Sequence, residues 1–196
     1  MTIIGIDEAG RGPLAGPISV GAFAVKSKDT LKLFKGVKDS KQLSEKQREE
    51  WFATIKKHSN KREVCYAVSF SSAPIIDSKG LTKATRMAMG RSLKRLEKNG
   101  FAPIDSRVLL DGSLYAPLKY SNQKTIIDGD AKEPIIALAS ICAKVLRDRK
   151  MKRLAKKYPN YGFEIHKGYG TKAHYRAIRK YGISELHRRS FLKNLK

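Results

Sequence analysis

The apolar run Ile3-Ile4-Gly5-Ile6 stops at two adjacent carboxylates, Asp7-Glu8, and Ala9-Gly10-Arg11-Gly12-Pro13-Leu14-Ala15-Gly16-Pro17 follows. Glycine and proline at this density exclude a helix. A short β-branched run bounded by such residues reads as a buried strand. Residues 2–6 are therefore expected to form a strand whose end presents two acids to a tight loop. Carboxylates in that position are the hard oxygen ligands that Mg²⁺ or Mn²⁺ accepts. A loop of small residues lets backbone N–H groups approach a phosphate or a sugar.

The rest of the chain alternates between strand and helix patterns. Residues 18–25 and 63–70 read as strands two and three, residues 108–110 as the fourth and 125–127 as the fifth. A helix is expected over 44–57, with Ser44 as N-cap, Gln47 completing a capping box and Glu45 suiting the helix dipole. Leu81, Ala84, Ala88, Met89, Leu93 and Leu96 recur at helical spacing and predict one long helix over 75–98, ended by Asn99-Gly100. A second long helix is expected over 131–157, apolar first and basic later. A loop rich in Gly and Tyr follows over 159–170, then short basic helices over 171–181 and 188–195. This order predicts an α/β fold with a mixed sheet flanked by helices. A length of 196 residues suits one domain. Residues 1–157 would form its body, and residues 158–196 a small C-terminal helical part.

The chain carries 41 Lys or Arg against 18 Asp or Glu, a net charge of +23. Most small domains stay within about 8, so a polyanionic partner, nucleic acid or an anionic membrane surface, is expected. Residues 144–196 hold 17 Lys or Arg against Asp148, Glu164 and Glu185. Arg188 and Arg189 belong to that basic tail. The two cysteines, Cys65 and Cys142, sit in apolar contexts and read as buried free thiols of a reducing compartment. No basic leader is visible, and the apolar run 134–143 is too short to span a bilayer. A cytoplasmic protein without a membrane segment is expected, and nothing demands an oligomer, so a monomer.

Four acidic positions stand out: Asp7, Glu8, Asp111 and Asp130. Asp111 ends the fourth strand and Asp130 precedes the apolar helix. If strands one and four are neighbours, their ends bring Asp7 and Asp111 together, with Asp130 beside them. Carboxylates at close range repel and raise one another's pKa, which divalent metal relieves. Two such ions roughly 4 Å apart can activate a water for phosphodiester hydrolysis. Taken singly, Asp130 also fits an N-cap with Glu133 in the capping-box position, and Asp111-Gly112 an ordinary turn.

Residues 5–17 resemble the signature of ribonuclease HII. So do Asp39-Ser40-Lys41-Gln42-Leu43, Ala139-Ser140-Ile141-Cys142-Ala143-Lys144-Val145 with Arg147-Asp148-Arg149, His166-Lys167-Gly168-Tyr169-Gly170-Thr171, and His187-Arg188-Arg189-Ser190-Phe191. The resemblance implies a ribonuclease H-like five-stranded fold. It implies cleavage of RNA in RNA–DNA hybrids and of single ribonucleotides in duplex DNA, as in ribonucleotide excision repair. It implies Asp7, Glu8, Asp111 and Asp130 as catalytic ligands of two Mg²⁺ or Mn²⁺ ions. Gly10, Arg11 and Gly12 would read the 2′-hydroxyl and meet phosphate, since the 2′-OH is what tells RNA from DNA. Tyr169 would pack on the following deoxyribose, with a structural loop tyrosine as the alternative. Lys41, Lys132, Lys144 and Lys167 are phosphate-contact candidates. Tyr158 and Tyr161 read as packing residues, and Arg147, Asp148 and Arg149 as either part of the motif or surface ion pairs. No extended N-terminal domain precedes the signature, which disfavours ribonuclease HIII. The competing readings are a catalytically silent nucleic-acid binder, which gains nothing from clustered acids, and a junction resolvase, which has no use for Gly10-Arg11-Gly12 with Tyr169.

Overall fold

The computed structural model describes residues 1–112 and 114–193. Its centre is a five-stranded sheet in the order β3-β2-β1-β4-β5. The strands are β1 (Thr2–Ala9), β2 (Ile18–Val25), β3 (Val64–Ser71), β4 (Ser106–Asp111) and β5 (Gln123–Ile126). The first three pair antiparallel, and β1, β4 and β5 run parallel. The helices are α1 (Glu45–Asn60), α2 (Ala73–Lys79), α3 (Leu81–Lys98), α4 (Gly129–Lys132), α5 (Pro134–Lys157), α6 (Phe163–His166) and α7 (Lys172–Tyr181).

Strand periodicity sorts the core into two layers. Ile4, Ile6, Val20, Ala22 and Leu110 face α3, where Ala88, Met89, Leu93 and Leu96 meet them. On the other face Phe23, Val25, Val68 and Leu109 pack under α5 and α1, against Ile135, Leu138, Ile141, Phe52 and Ile55. Each large apolar side chain buried here stabilises the fold by roughly 1.5–3 kcal/mol. Two glycines let α5 approach the sheet. A Cβ on Gly5 would lie 2.2 Å from the Ile135 carbonyl oxygen, and one on Gly21 2.3 Å from that of Ala139. Gly21 is also the register partner of Asp7. The backbone of α5 is thus seated beside the first carboxylate.

The expected helix over 75–98 is two helices. Gly80, at φ +78°, ends α2 and opens α3. The expected helix over 131–157 divides at Pro134, because the residue before a proline avoids the helical region. Glu133 is extended there (φ −122°, ψ 112°), and Pro134 takes the first helical position of α5. Asp130 therefore lies inside the short α4, and its N-cap position falls to Asp128. The first strand runs past its expected end through Asp7 and Glu8 to Ala9, held by pairing to β2. The Ser44–Gln47 capping box forms as read. The loop over 159–170 contains α6, whose start follows Gly162 at φ +68°. The expected helix over 188–195 is only a 3₁₀ turn, Arg189–Phe191, and residues 194–196 lie outside the described residues.

The C-terminal segment returns to the N-terminal loop. Ala15 bridges His187. The N–H of Gly16 donates to the Leu186 carbonyl (2.8 Å), and the N–H of Arg188 to that of Leu14 (2.8 Å). Among the described residues no helix is long and apolar enough to cross a membrane. Cys142 is buried, whereas Cys65 is only partly so, and both are free thiols.

Candidate active site

The parallel pairing of β1 and β4 runs from Thr2 with Ser106 to Ile6 with Leu110, so Asp7 and Asp111 leave adjacent strands at the same level. The turn Asp128-Gly129 then carries α4 to that edge, and the Gly129 N–H donates to Asp111 Oδ1 (2.7 Å). Asp7, Asp111 and Asp130 each offer a carboxylate oxygen within 4.8 Å of the others. Asp7 and Asp130 are buried, and Asp111 is partly exposed. Burial pushes the Asp7 carboxyl well above its ordinary value, and the charges of Glu8 and Asp111 push it further. A hydrogen bond from Ser140 opposes them. Burial also raises Glu8, against the opposing charge of Arg11.

These residues suit a divalent cation. Their donors are hard oxygens. Their mutual repulsion is unrelieved at Asp7. Glu8 Oε2 is buried with no hydrogen-bond partner, while Oε1 accepts from Arg11 at 3.2 Å. Lys41 partly fills the role of counter-ion, its Nζ 2.8 Å from Asp130 Oδ2. That contact and the charges of Asp39 and Asp7 raise the Lys41 ammonium. Asp39 is itself buried beside Asp130 and raised.

A cleft of about 310 Å³ opens over these groups. Its lining includes Asp7, Glu8 and Asp111, the Gly10-Arg11-Gly12 loop, Lys41, Lys144 and Tyr169. Tyr169 is 43% exposed, and its ring centre lies 5.8 Å from Lys144 Nζ and 5.9 Å from Arg147 Cζ. Gly168 brings the tyrosine loop against the glycine loop. Its carbonyl accepts from the Leu14 N–H (2.8 Å), and at φ +88° a Cβ would lie 2.3 Å from the Ala15 oxygen.

Two of the four candidate lysines lie away from the cleft. Lys167 is 8% exposed, and its ammonium donates to the carbonyls of Glu164 (2.5 Å) and Ile165 (3.4 Å). Lys132 Nζ donates to the Ile127 carbonyl (2.7 Å). Neither lines the cleft. Arg188 of the basic tail does not face solvent: it is fully buried and its guanidinium turns inward. Of the helix triplet, Arg149 pairs with Glu49 (2.5 Å) and Lys144 with Asp148 (3.0 Å), but Arg147 is fully buried.

Sequence reading missed Ser40, Ser140, Arg48 and the histidines. The hydroxyls of Ser40 and Ser140 are 2.7 Å apart at the cleft floor. Arg48 donates to the carbonyls of Ser40 (2.9 Å) and Leu43 (2.5 Å), shaping the Lys41 loop. His174 and His187 are buried with ring nitrogens 3.1 Å apart, and His174 Nδ1 donates to the Tyr169 carbonyl (2.9 Å). Burial pushes both imidazoles down to about 4. His174 and His187 fall within or near quoted motifs, which was the available signal, but a histidine's partner across a loop is invisible in one sequence.

A sheet with acids at its adjacent parallel edges, a cation-demanding cluster and a basic, glycine-lined cleft define a metal-dependent nuclease of the ribonuclease H-like class. The family model of ribonuclease HII matches residues 4–194. The chain is 44% identical over 193 residues to the ribonuclease HII of Caldicellulosiruptor bescii, covering 98% of this chain and 87% of that one. It is 47% identical over 191 residues to that of Clostridioides difficile, covering 97% and 70%. The ribonuclease HII of Archaeoglobus fulgidus, solved in a complex with PCNA, superposes with a TM-score of 0.66 at 27% identity, covering 96% of this chain and 94% of that one. The chain belongs to the ribonuclease HII family and is a ribonuclease H enzyme.

Proposed function

We propose that this enzyme hydrolyses the RNA strand of RNA–DNA hybrids and also cuts duplex DNA on the 5′ side of an embedded ribonucleotide. The products carry 5′-phosphate and 3′-hydroxyl ends. The observation that carries the reading is the convergence of Asp7, Glu8, Asp111, Gly10-Arg11-Gly12 and Tyr169 on one cleft, with Asp130 clustered against Asp7 and Asp111. Asp7, Glu8, Asp111 and Asp130 would hold two Mg²⁺ or Mn²⁺ ions. Such ions supply a more acidic water and neutralise charge on the phosphate. The chain's own residues do the selecting. The N–H groups of Arg11 and Gly12, both exposed residues, approach the ribose 2′-OH, Tyr169 packs on the next sugar, and Lys41 and Lys144 meet phosphates. A reducing cytoplasm and the removal of misincorporated ribonucleotides fit the two free thiols and the substrate.

The test is a DNA duplex with one ribonucleotide, incubated with Mg²⁺, Mn²⁺ or EDTA, beside an all-RNA strand on DNA. Cleavage 5′ of the ribonucleotide with no cyclic phosphate is expected, and none in EDTA. Full activity in excess EDTA, or indifference to the single ribonucleotide, would falsify it.

A further inference from the structure

Two guanidinium groups lie fully buried beneath the glycine loop, and neither hydrogen-bonds to a carboxylate. Arg147, from α5, donates through Nε to the Pro17 carbonyl (2.9 Å), through Nη2 to that of Ala15 (3.4 Å) and through Nη1 to that of Lys167 (3.1 Å). Arg188, from the C-terminal segment, donates through Nε to Gly16 (3.0 Å), through Nη1 to Arg11 (2.7 Å) and through Nη2 to Gly10 (2.6 Å). Five of these six carbonyls belong to residues 10–17, and the sixth belongs to the tyrosine loop. The fit is close. A Cβ on Gly10 would lie 2.1 Å from Arg147 Nε.

Burying a cation without a paired anion is costly. Peptide dipoles aimed at it from several sides are the compensation present here. A planar fork with donors on three nitrogens can satisfy three separated carbonyls, and a lysine ammonium cannot reach them in that geometry. A peptide unit whose C=O points inward at a cation turns its N–H the other way. The N–H groups of Arg11 and Gly12 meet no acceptor among the described residues, and both residues are exposed at the cleft.

We propose that Arg188 is a positioning residue that sets the substrate selectivity of the Gly10-Arg11-Gly12 loop by drawing the Gly10 and Arg11 carbonyls inward and so presenting the Arg11 and Gly12 N–H groups to the ribonucleotide, while Arg147 packs under Gly10 and holds Ala15 and Pro17 behind it. The proposal rests on the ribonucleotide reading above. Asp77 extends the linkage to α2. Its carboxylate accepts from the N–H groups of Arg189 (2.9 Å) and Ser190 (3.0 Å) and fixes the turn that follows Arg188.

The experiment compares the native protein with Arg147→Lys and Arg188→Lys, which keep the charge and remove the fork. Dissociation constants are measured in EDTA for a DNA duplex with one ribonucleotide and for the same duplex entirely of DNA. The folded fraction is set by thermal unfolding. Asp77→Asn serves as the milder variant if either lysine variant fails to fold. The ratio of the two constants is the readout, because lost stability alone lowers both affinities together. Arg188→Lys is expected to lose up to about tenfold in the ratio, the loss of one neutral hydrogen bond, and Arg147→Lys less than that, with affinity for the all-DNA duplex within about twofold of native in both. Asp77→Asn should lose part of that ratio. A native ratio well above one that stays unchanged in the folded variants overturns this proposal and leaves the ribonuclease reading intact. A native ratio of one overturns this proposal together with the reading of the 2′-OH by the glycine loop.

Discussion

At the scale of single residues, the site holds a carboxyl that burial first, and the charges of Glu8 and Asp111 next, make costly to ionise, and a cation relieves that cost at Asp7. Asp7→Asn is therefore expected to lower turnover by orders of magnitude while raising the unfolding temperature in EDTA by a few degrees, as roughly 1 kcal/mol does in a domain of this size. Mg²⁺ should raise the native melting temperature and leave that of Asp7→Asn nearly unchanged, which a thermal scan with and without the ion decides. Lys41 competes for the same site through its 2.8 Å contact with Asp130. Lys41→Met should lower the Mg²⁺ concentration at which half of the thermal stabilisation appears. It should also weaken substrate binding. A weaker response to Mg²⁺ would mean that Lys41 assists the ion rather than standing in for it. Asp7, Glu8 and Asp111 were legible because each interrupts an apolar run. Arg147 and Arg188 were not, because a buried cation satisfied by carbonyls has the same one-letter code as a solvated one.

At the scale of elements, local chemistry decided what could be read. The capping box at Ser44 and Gln47 is a contact within four residues, and it forms as expected. Ser44→Ala should cost about 1 kcal/mol, the usual value of an N-cap, measurable by denaturant unfolding. The long helices were read through Gly80 and Pro134 because apolar spacing continues across both breaks. The histidine pair joins α7 to the C-terminal segment and could only be found in three dimensions. Its pH dependence has a definite sign. The neutral rings hold a relay in which the Ser184 N–H donates to His187 Nδ1 (2.9 Å) and His174 donates to the Tyr169 carbonyl. With folded values of about 4 against 6.5 unfolded, the stabilisation is complete above about pH 6.5 and is lost as pH falls toward 4. Each ring in isolation corresponds to about 3 kcal/mol. The raised Asp7 acts in the opposite direction without metal: its contribution is present at low pH and lost as pH rises through its folded value. Melting temperatures from pH 4 to 8 in saturating Mg²⁺ should thus fall steadily on the acid side. A flat profile there would remove the histidines from the account.

For the whole molecule, the net charge of +23 is the property most visible in composition and least informative about place. Each phosphate neutralised contributes roughly −0.9 to the log–log salt slope on duplex DNA. The exposed Arg189, unlike the buried Arg188, can contribute to it. Arg189→Gln is expected to flatten the slope by up to one phosphate equivalent in a titration of binding against salt, and an unchanged slope would place that charge off the nucleic acid. The mixed sheet could be anticipated from the alternation of patterns, but its strand order could not: the pairing of β1 with β4 entered only as the condition under which their terminal acids would meet. How the C-terminal segment folds back could not, because nothing local specifies a contact across most of the chain.

That contact has a consequence for synthesis. Arg188 grips the Gly10 carbonyl across 178 positions of sequence. A polypeptide emerging from a ribosome exposes Asp7, Asp111 and Asp130 while position 188 is still untranslated or inside the exit tunnel. The acids and the sheet beneath them can assemble in that interval, but the Gly10-Arg11-Gly12 loop still lacks the guanidinium below it. Whatever work this loop does can therefore begin only after position 188 has left the ribosome and reached it.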